Sequence, residues 1–134
     1  MEAIAERIIP SDDTPGARQA GVVHYIDRQL SGHFRRFRET YREGIAAAVR
    51  LAGGDYAAAT PQKQDAVLAQ LQHDGRTRPF FDLVVTHAMQ GFYGNPRHGG
   101  NRDFVSWRML NIPPAPVRGR DQYDFTKGAA NAQG

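Results

Sequence analysis

Residues His33 to Gly54 read HFRRFRETYREGIAAAVRLAGG, and their period decides the fold class. Phe34, Phe37, Tyr41, Ile45 and Ala48 recur at three- and four-residue spacing, which places them on one face of a helix from about His33 to Leu51. Arg35, Arg36, Arg38 and Arg42 fall off that face, and Gly53-Gly54 closes the helix. Glu39 and Glu43 are interleaved with these arginines, and Arg35 can pair with Glu39. The group therefore reads as a solvated helix face rather than a nucleic-acid contact, with docking onto an acidic protein surface as the other reading.

The same reading extends outward. Toward the N-terminus, Glu2 to Ile9 predicts a short helix with Ala5, Ile8 and Ile9 inside and Pro10 ending it. Asp12-Asp13-Thr14-Pro15 reads as a helix start, with Thr14 as cap and Pro15 in the first helical position. That second helix is expected to run to about Leu30, burying Ala20, Val23, Ile26 and Leu30, and to break at Ser31-Gly32. Beyond Gly54, Thr60-Pro61 caps a fourth helix that buries Val67, Leu68 and Leu71. A fifth begins near Pro79 and uses Phe81, Val84, Ala88 and Phe92. No stretch alternates with period two for long enough to make a sheet, so the expectation is an all-α bundle of about five helices.

After Phe92 the character changes. Tyr93 to Asp103 is rich in residues that permit positive φ or fix a turn, and predicts an ordered Gly-rich loop whose Asn101 and Asp103 bond local backbone. A helical turn around Phe104 to Leu110 carries Trp107, expected to pin loop to bundle as a buried ring whose truncation costs ~3–5 kcal/mol. The bundle is thus expected over residues 1–111. Residues 112–134, with Pro113, Pro114 and Pro116 near their start, read as an extended arm that cannot build a core alone. Its Val117, Tyr123 and Phe125 suit a segment that lies against a partner.

Composition excludes more than it assigns. The chain has 134 residues and no cysteine, which leaves room for one domain and rules out disulfides, thiolate metal sites and cysteine nucleophiles. Of its 17 basic residues only Lys63 and Lys127 are lysine; arginine suits planar contacts with carboxylates and aromatics. The five histidines show no metal-binding spacing, no serine stands in a nucleophile elbow, and the Gly94–Gly100 stretch lacks the Lys and the preceding strand of a phosphate loop. No catalytic, cofactor-binding or metal-ligating residue is expected. The first seven residues do not read as a signal peptide, and no run is long and apolar enough for a membrane span.

Two stretches together resemble the gluconate 2-dehydrogenase subunit 3 family. One is Ile9-Pro10-x-Asp12-Asp13-Thr14-Pro15-Gly16-Ala17 with Gly21-Val22-Val23 and Ile26-Asp27; the other is Gly91-Phe92-Tyr93-Gly94-Asn95-Pro96-x-x-Gly99-Gly100-Asn101-Arg102-Asp103 with Trp107 and Pro113. Tyr41-Arg42-Glu43-Gly44 lies between them in the expected order. The resemblance implies a non-catalytic small subunit that binds and stabilises a larger catalytic subunit. That partner would resemble the glucose-methanol-choline oxidoreductases, hold FAD and oxidise sugars, glycosides or sugar acids, with electrons leaving through a cytochrome c subunit. It implies a periplasmic complex, tied to the membrane only indirectly and exported by a twin-arginine signal; without such a signal the location would be cytoplasmic. The motif residues Asp12, Asp13, Thr14, Pro15, Gly91, Tyr93, Pro96, Gly99, Gly100, Asn101, Arg102, Asp103 and Trp107, with Tyr123 and Phe125 of the arm, are then the expected partner-binding set. No nucleic acid is expected. The rival readings are a nucleic-acid-binding helical module and a small free-standing enzyme built on His98, Asn101 and Asp103.

Overall fold

The computed structural model describes residues 1–113, so Tyr123, Phe125 and most of the expected arm lie outside the described residues. Seven α-helices and no strand occur among the described residues: α1 (Glu2–Ile8), α2 (Ala17–Ala20), α3 (Val22–Ser31), α4 (Arg38–Ala52), α5 (Pro61–His73), α6 (Arg78–Tyr93) and α7 (Val105–Met109). The all-α bundle is what the periodicity predicts, and α7 is the helical turn expected around Trp107.

The higher helix count comes largely from Gly21. It adopts φ +66°, a left-handed conformation that breaks the expected second helix into α2 and α3. The break resets the buried stripe, so Val22, Tyr25 and Ile26 face inward while Val23 and Leu30 are only partly covered. The start of this segment also differs from expectation. Thr14 and Pro15 precede the helix, and the cap is Gly16, whose N–H donates to Gln19 Oε1 while Ser11 Oγ donates to the same oxygen. Asp12 instead makes a tight turn by accepting from Thr14 N and Thr14 Oγ1 at 2.9 and 3.0 Å, and these bonds hold its carboxyl below the usual range.

The predicted third helix begins later than its pattern suggests. Arg35–Phe37 form a 3-10 turn, and α4 starts at Arg38, whose Nε donates to the Leu30 carbonyl at 2.7 Å. Glu39 accordingly pairs with Arg42 (2.8 Å) and not with Arg35, which stands before the α-helical register. Tyr41, Gly44, Ala47 and Ala48 form its buried face, and Gly53 ends it at φ +78°. Thr60 caps α5 as expected, accepting from Lys63 N, with Pro61 in the first position.

Helix α6 is the axis of the molecule and touches every other α-helix. Its buried face is Phe80, Val84, His87, Ala88, Gly91 and Phe92, so Phe80 and not Phe81 continues the four-residue spacing. Phe80 fills the space above Gly44, where a Cβ would overlap the ring, and meets Tyr41 edge-on at 5.5 Å. At the periphery, Arg7 makes a two-point ion pair with Asp65 (2.8 and 2.6 Å) that ties α1 to α5.

His87 is buried among aromatic rings. Phe34 stacks on one side at 4.4 Å, Tyr41 lies parallel at 5.8 Å, and Nδ1 is 2.8 Å from the Tyr41 hydroxyl. Burial, aided by the nearby Arg36 charge, lowers the imidazole pKa below 6.5. Because the unfolded chain then binds a proton more readily, stability should fall as pH drops through 6.5 and level off below the folded-state pKa. The unfolding free energy from urea titration should be lower at pH 5.5 than at pH 7.5 in the wild type. His87→Gln should flatten that slope; an unchanged slope would assign it to other groups.

Candidate functional site

The loop after α6 is built on a close approach of two glycines. Gly100 is buried against Gly91, and a Cβ there would overlap the Gly91 carbonyl oxygen. Gly91 in turn sits under the ring of Tyr25, and Gly99 crosses the His24–Tyr25 backbone at φ +106°. Any side chain at Gly100 would lift the loop from α6.

Asn101 locks the loop from within. It is fully buried and left-handed (φ +44°), which asparagine tolerates better than most residues. Its Nδ2 donates to the Gly94 carbonyl at 2.9 Å, and its Oδ1 accepts from Ser106 N (3.0 Å) and Ser106 Oγ (2.8 Å). The bond to local backbone is the one the sequence predicts. Asp103, by contrast, is exposed and adopts φ +54°, followed by Phe104 at φ +57°. Asn95 caps the short turn Pro96–His98 by accepting from Arg97 N, and Arg28 Nη1 donates to the Arg97 carbonyl from α3.

Trp107 Nε1 donates to the Tyr93 carbonyl at 2.7 Å, satisfying one of the free acceptors at the end of α6. It pins the loop as expected, but the ring is only partly buried. The expected truncation cost is revised accordingly: Trp107→Ala should lose ~2–3 kcal/mol, below the range for a fully buried ring. Thermal melts of the isolated chain test this, and a change under one degree would mean that the ring does not fasten the loop.

The two motif stretches meet in space. Arg102 lays its guanidinium over Gly21, 3.1 Å from where a Cβ would stand. Beside it an open groove of about 520 Å3 is lined by Asp13, Thr14, Pro15 and Gln19 on one side and by Arg102, Asp103, Val105, Arg108 and Met109 on the other. Asp12 stands outside the groove, in its own turn, and Gly91, Gly99 and Gly100 lie beneath the loop as spacing elements. A sequence model of gluconate 2-dehydrogenase subunit 3 matches residues 1–114.

The chain belongs to this family.

Neither a curated protein nor a solved structure matches the chain. Membership makes it a dehydrogenase-complex subunit by family. The family motif is therefore largely a structural device here: Gly91, Gly99, Gly100 and Asn101 set the loop, while Tyr93, Arg102, Asp103 and Trp107 reach or approach the surface. A catalytic centre on His98, Asn101 and Asp103 does not assemble, because Asn101 is enclosed. Among the described residues there is no cluster of three metal-ligating side chains, no strand to begin a dinucleotide cradle, and no helix long and apolar enough to cross a membrane. Sequence reasoning missed the Tyr41–His87 pair, although His87 continues the buried α6 face three residues after Val84 and so carried a signal.

Proposed function

We propose that this subunit 3 family member is a non-catalytic small subunit that binds and stabilises the FAD-dependent catalytic subunit of a sugar, glycoside or sugar-acid dehydrogenase. The observation that carries the reading is an exposed apolar edge beside the Trp107 turn, which holds four of the five large apolar side chains exposed among the described residues. Met89 and Tyr93, one turn apart on α6, are 45% and 39% exposed, and Leu110 and Ile112, flanking the Trp107 turn, are 49% and 44% exposed. Solvent gives no reason to hold four large apolar side chains out beside a loop this firmly fixed; a protein surface does. The fixed loop lets them dock without a large ordering cost. FAD and the chemistry of oxidation belong, on this reading, to the partner, with electrons passing on to a cytochrome c subunit. A periplasmic complex, with the small subunit assisting export, completes the proposal. Tyr123 and Phe125 are proposed as further anchors on sequence grounds.

The test is co-expression of the tagged chain with the catalytic subunit. The wild type should retain the partner and its flavin absorbance, whereas the isolated chain should show none. Met89→Asp with Tyr93→Asp should lower retention at least tenfold while helicity stays unchanged, as expected when charges enter the centre of an interface. Full retention by that variant would sink the docking edge, and flavin bound to the isolated chain would sink the division of labour.

A further inference from the structure

Next to the apolar edge, five arginines of this chain stand close together. Arg28, Arg35, Arg36, Arg38 and Arg97 gather around the C-terminal half of α3: Arg28 holds the Arg97 carbonyl, Arg38 holds the Leu30 carbonyl, and Arg36 stacks over the Phe37 ring at 4.4 Å. All five are exposed, and none forms an ion pair among the described residues. With Asp27, the acid on the exposed side of α3, they carry a formal charge of +4, against +3 for the entire chain. The chain's positive excess is thus concentrated on this one face. Glu39, which could have diluted it, is turned away to Arg42.

We propose that this arginine face is the electrostatic rim of the docking surface and takes a carboxylate-rich patch on the catalytic subunit. The inference rests on the reading of the apolar edge as the partner interface and adds the chemistry of the partner's side. Arg97 lies one turn of chain beyond Tyr93, and Gln90, between Met89 and Tyr93 on α6, is bonded by the Tyr25 hydroxyl of α3, so the edge and the rim adjoin. An apolar centre with arginine around it is the usual anatomy of a protein interface. Arginine forks take phosphate as well as carboxylate, and what favours a protein partner is the apolar edge beside them, which nucleic acid would leave uncovered. Four of the five guanidinium groups are already held by contacts to backbone or ring, Arg97 through the His98 imidazole. On a protein surface, fixed planar forks match carboxylates at set positions. Long-range attraction from such a face raises the association rate more than it slows dissociation.

The experiment measures association and dissociation rates of the full chain with the purified catalytic subunit between 20 and 300 mM salt. For the wild type the association rate should fall steeply with salt. The triple variant Arg35→Glu, Arg36→Glu, Arg97→Glu should associate roughly 10- to 100-fold more slowly at low salt, with dissociation changed by less than about threefold. The Arg→Gln version of the same triple should fall between, and circular dichroism of both should match the wild type; if the Glu triple does not fold, the Gln triple carries the comparison. A wild-type association rate that ignores salt, or variants that associate like the wild type, would overturn the rim while leaving the apolar edge in place. Failure of the wild type to bind the catalytic subunit at all would bring down both. Retention on duplex DNA or on phosphatidylglycerol vesicles at 150 mM salt, lost in the triple while partner association is unchanged, would reassign the face to a polyanion.

Discussion

Asn101→Ala should be among the most damaging single substitutions in the described fold, lowering stability by ~3–5 kcal/mol. The side chain is fully enclosed and bonds Gly94 on one side and Ser106 on the other. Truncation leaves the Ser106 amide and hydroxyl and the Gly94 carbonyl without partners where water has little access, and each such orphan costs about 1–3 kcal/mol. Alanine is also less suited than asparagine to the left-handed backbone there. Chemical denaturation of the isolated chain measures the loss. Asn101→Asp is the informative companion: it keeps the acceptor for Ser106 but faces the Gly94 carbonyl with a second acceptor, so it should be destabilised as well. A loss below 1 kcal/mol for both would mean that the loop is not held from inside.

Gly100→Ala should do comparable harm for a different reason. The added methyl would overlap the Gly91 carbonyl, a backbone atom of α6 that no change of rotamer can move. Either α6 bends or the loop lifts, and overpacking of this kind costs about 1–3 kcal/mol, more when backbone must shift. Lifting the loop also breaks the Trp107–Tyr93 and Asn101–Gly94 bonds, so the expected total exceeds ~3 kcal/mol. Partner retention should fall with it, because Tyr93, Leu110 and Ile112 would lose their fixed spacing. Thermal melts and co-purification check the two halves separately. A variant that melts like the wild type would show that the glycine contact has slack.

Local chemistry was legible in the sequence, and phase was not. Thr60-Pro61 and Gly53 act on their own neighbours, so their cap roles follow from the residues alone. Gly21 is different: a glycine inside an apolar pattern can continue a helix or break it. What Arg102 and the loop put above it lies 81 positions away in the chain. The same limit explains Phe80 against Phe81, where the choice is made by the empty space over Gly44 on another helix. It also explains Thr14, which had the right type and spacing for a cap but lost the role when Asp12 took its amide. In the loop, asparagine and glycines signalled a turn correctly. That Asn101 would reach forward to Ser106, and that two glycines would touch across α6, needed the third dimension.

The central position of α6 has a consequence for how this protein comes apart. A helix that touches all six other helices among the described residues cannot release its middle amides by local fraying, because every neighbour must first let go. The backbone N–H groups of Val84 to Ala88 should therefore exchange with deuterated solvent only when the entire chain opens. Those of α7, five residues long with only Ser106 buried, should exchange orders of magnitude sooner. Their rates together would read out, amide by amide, which parts of the molecule open alone and which open only with the whole.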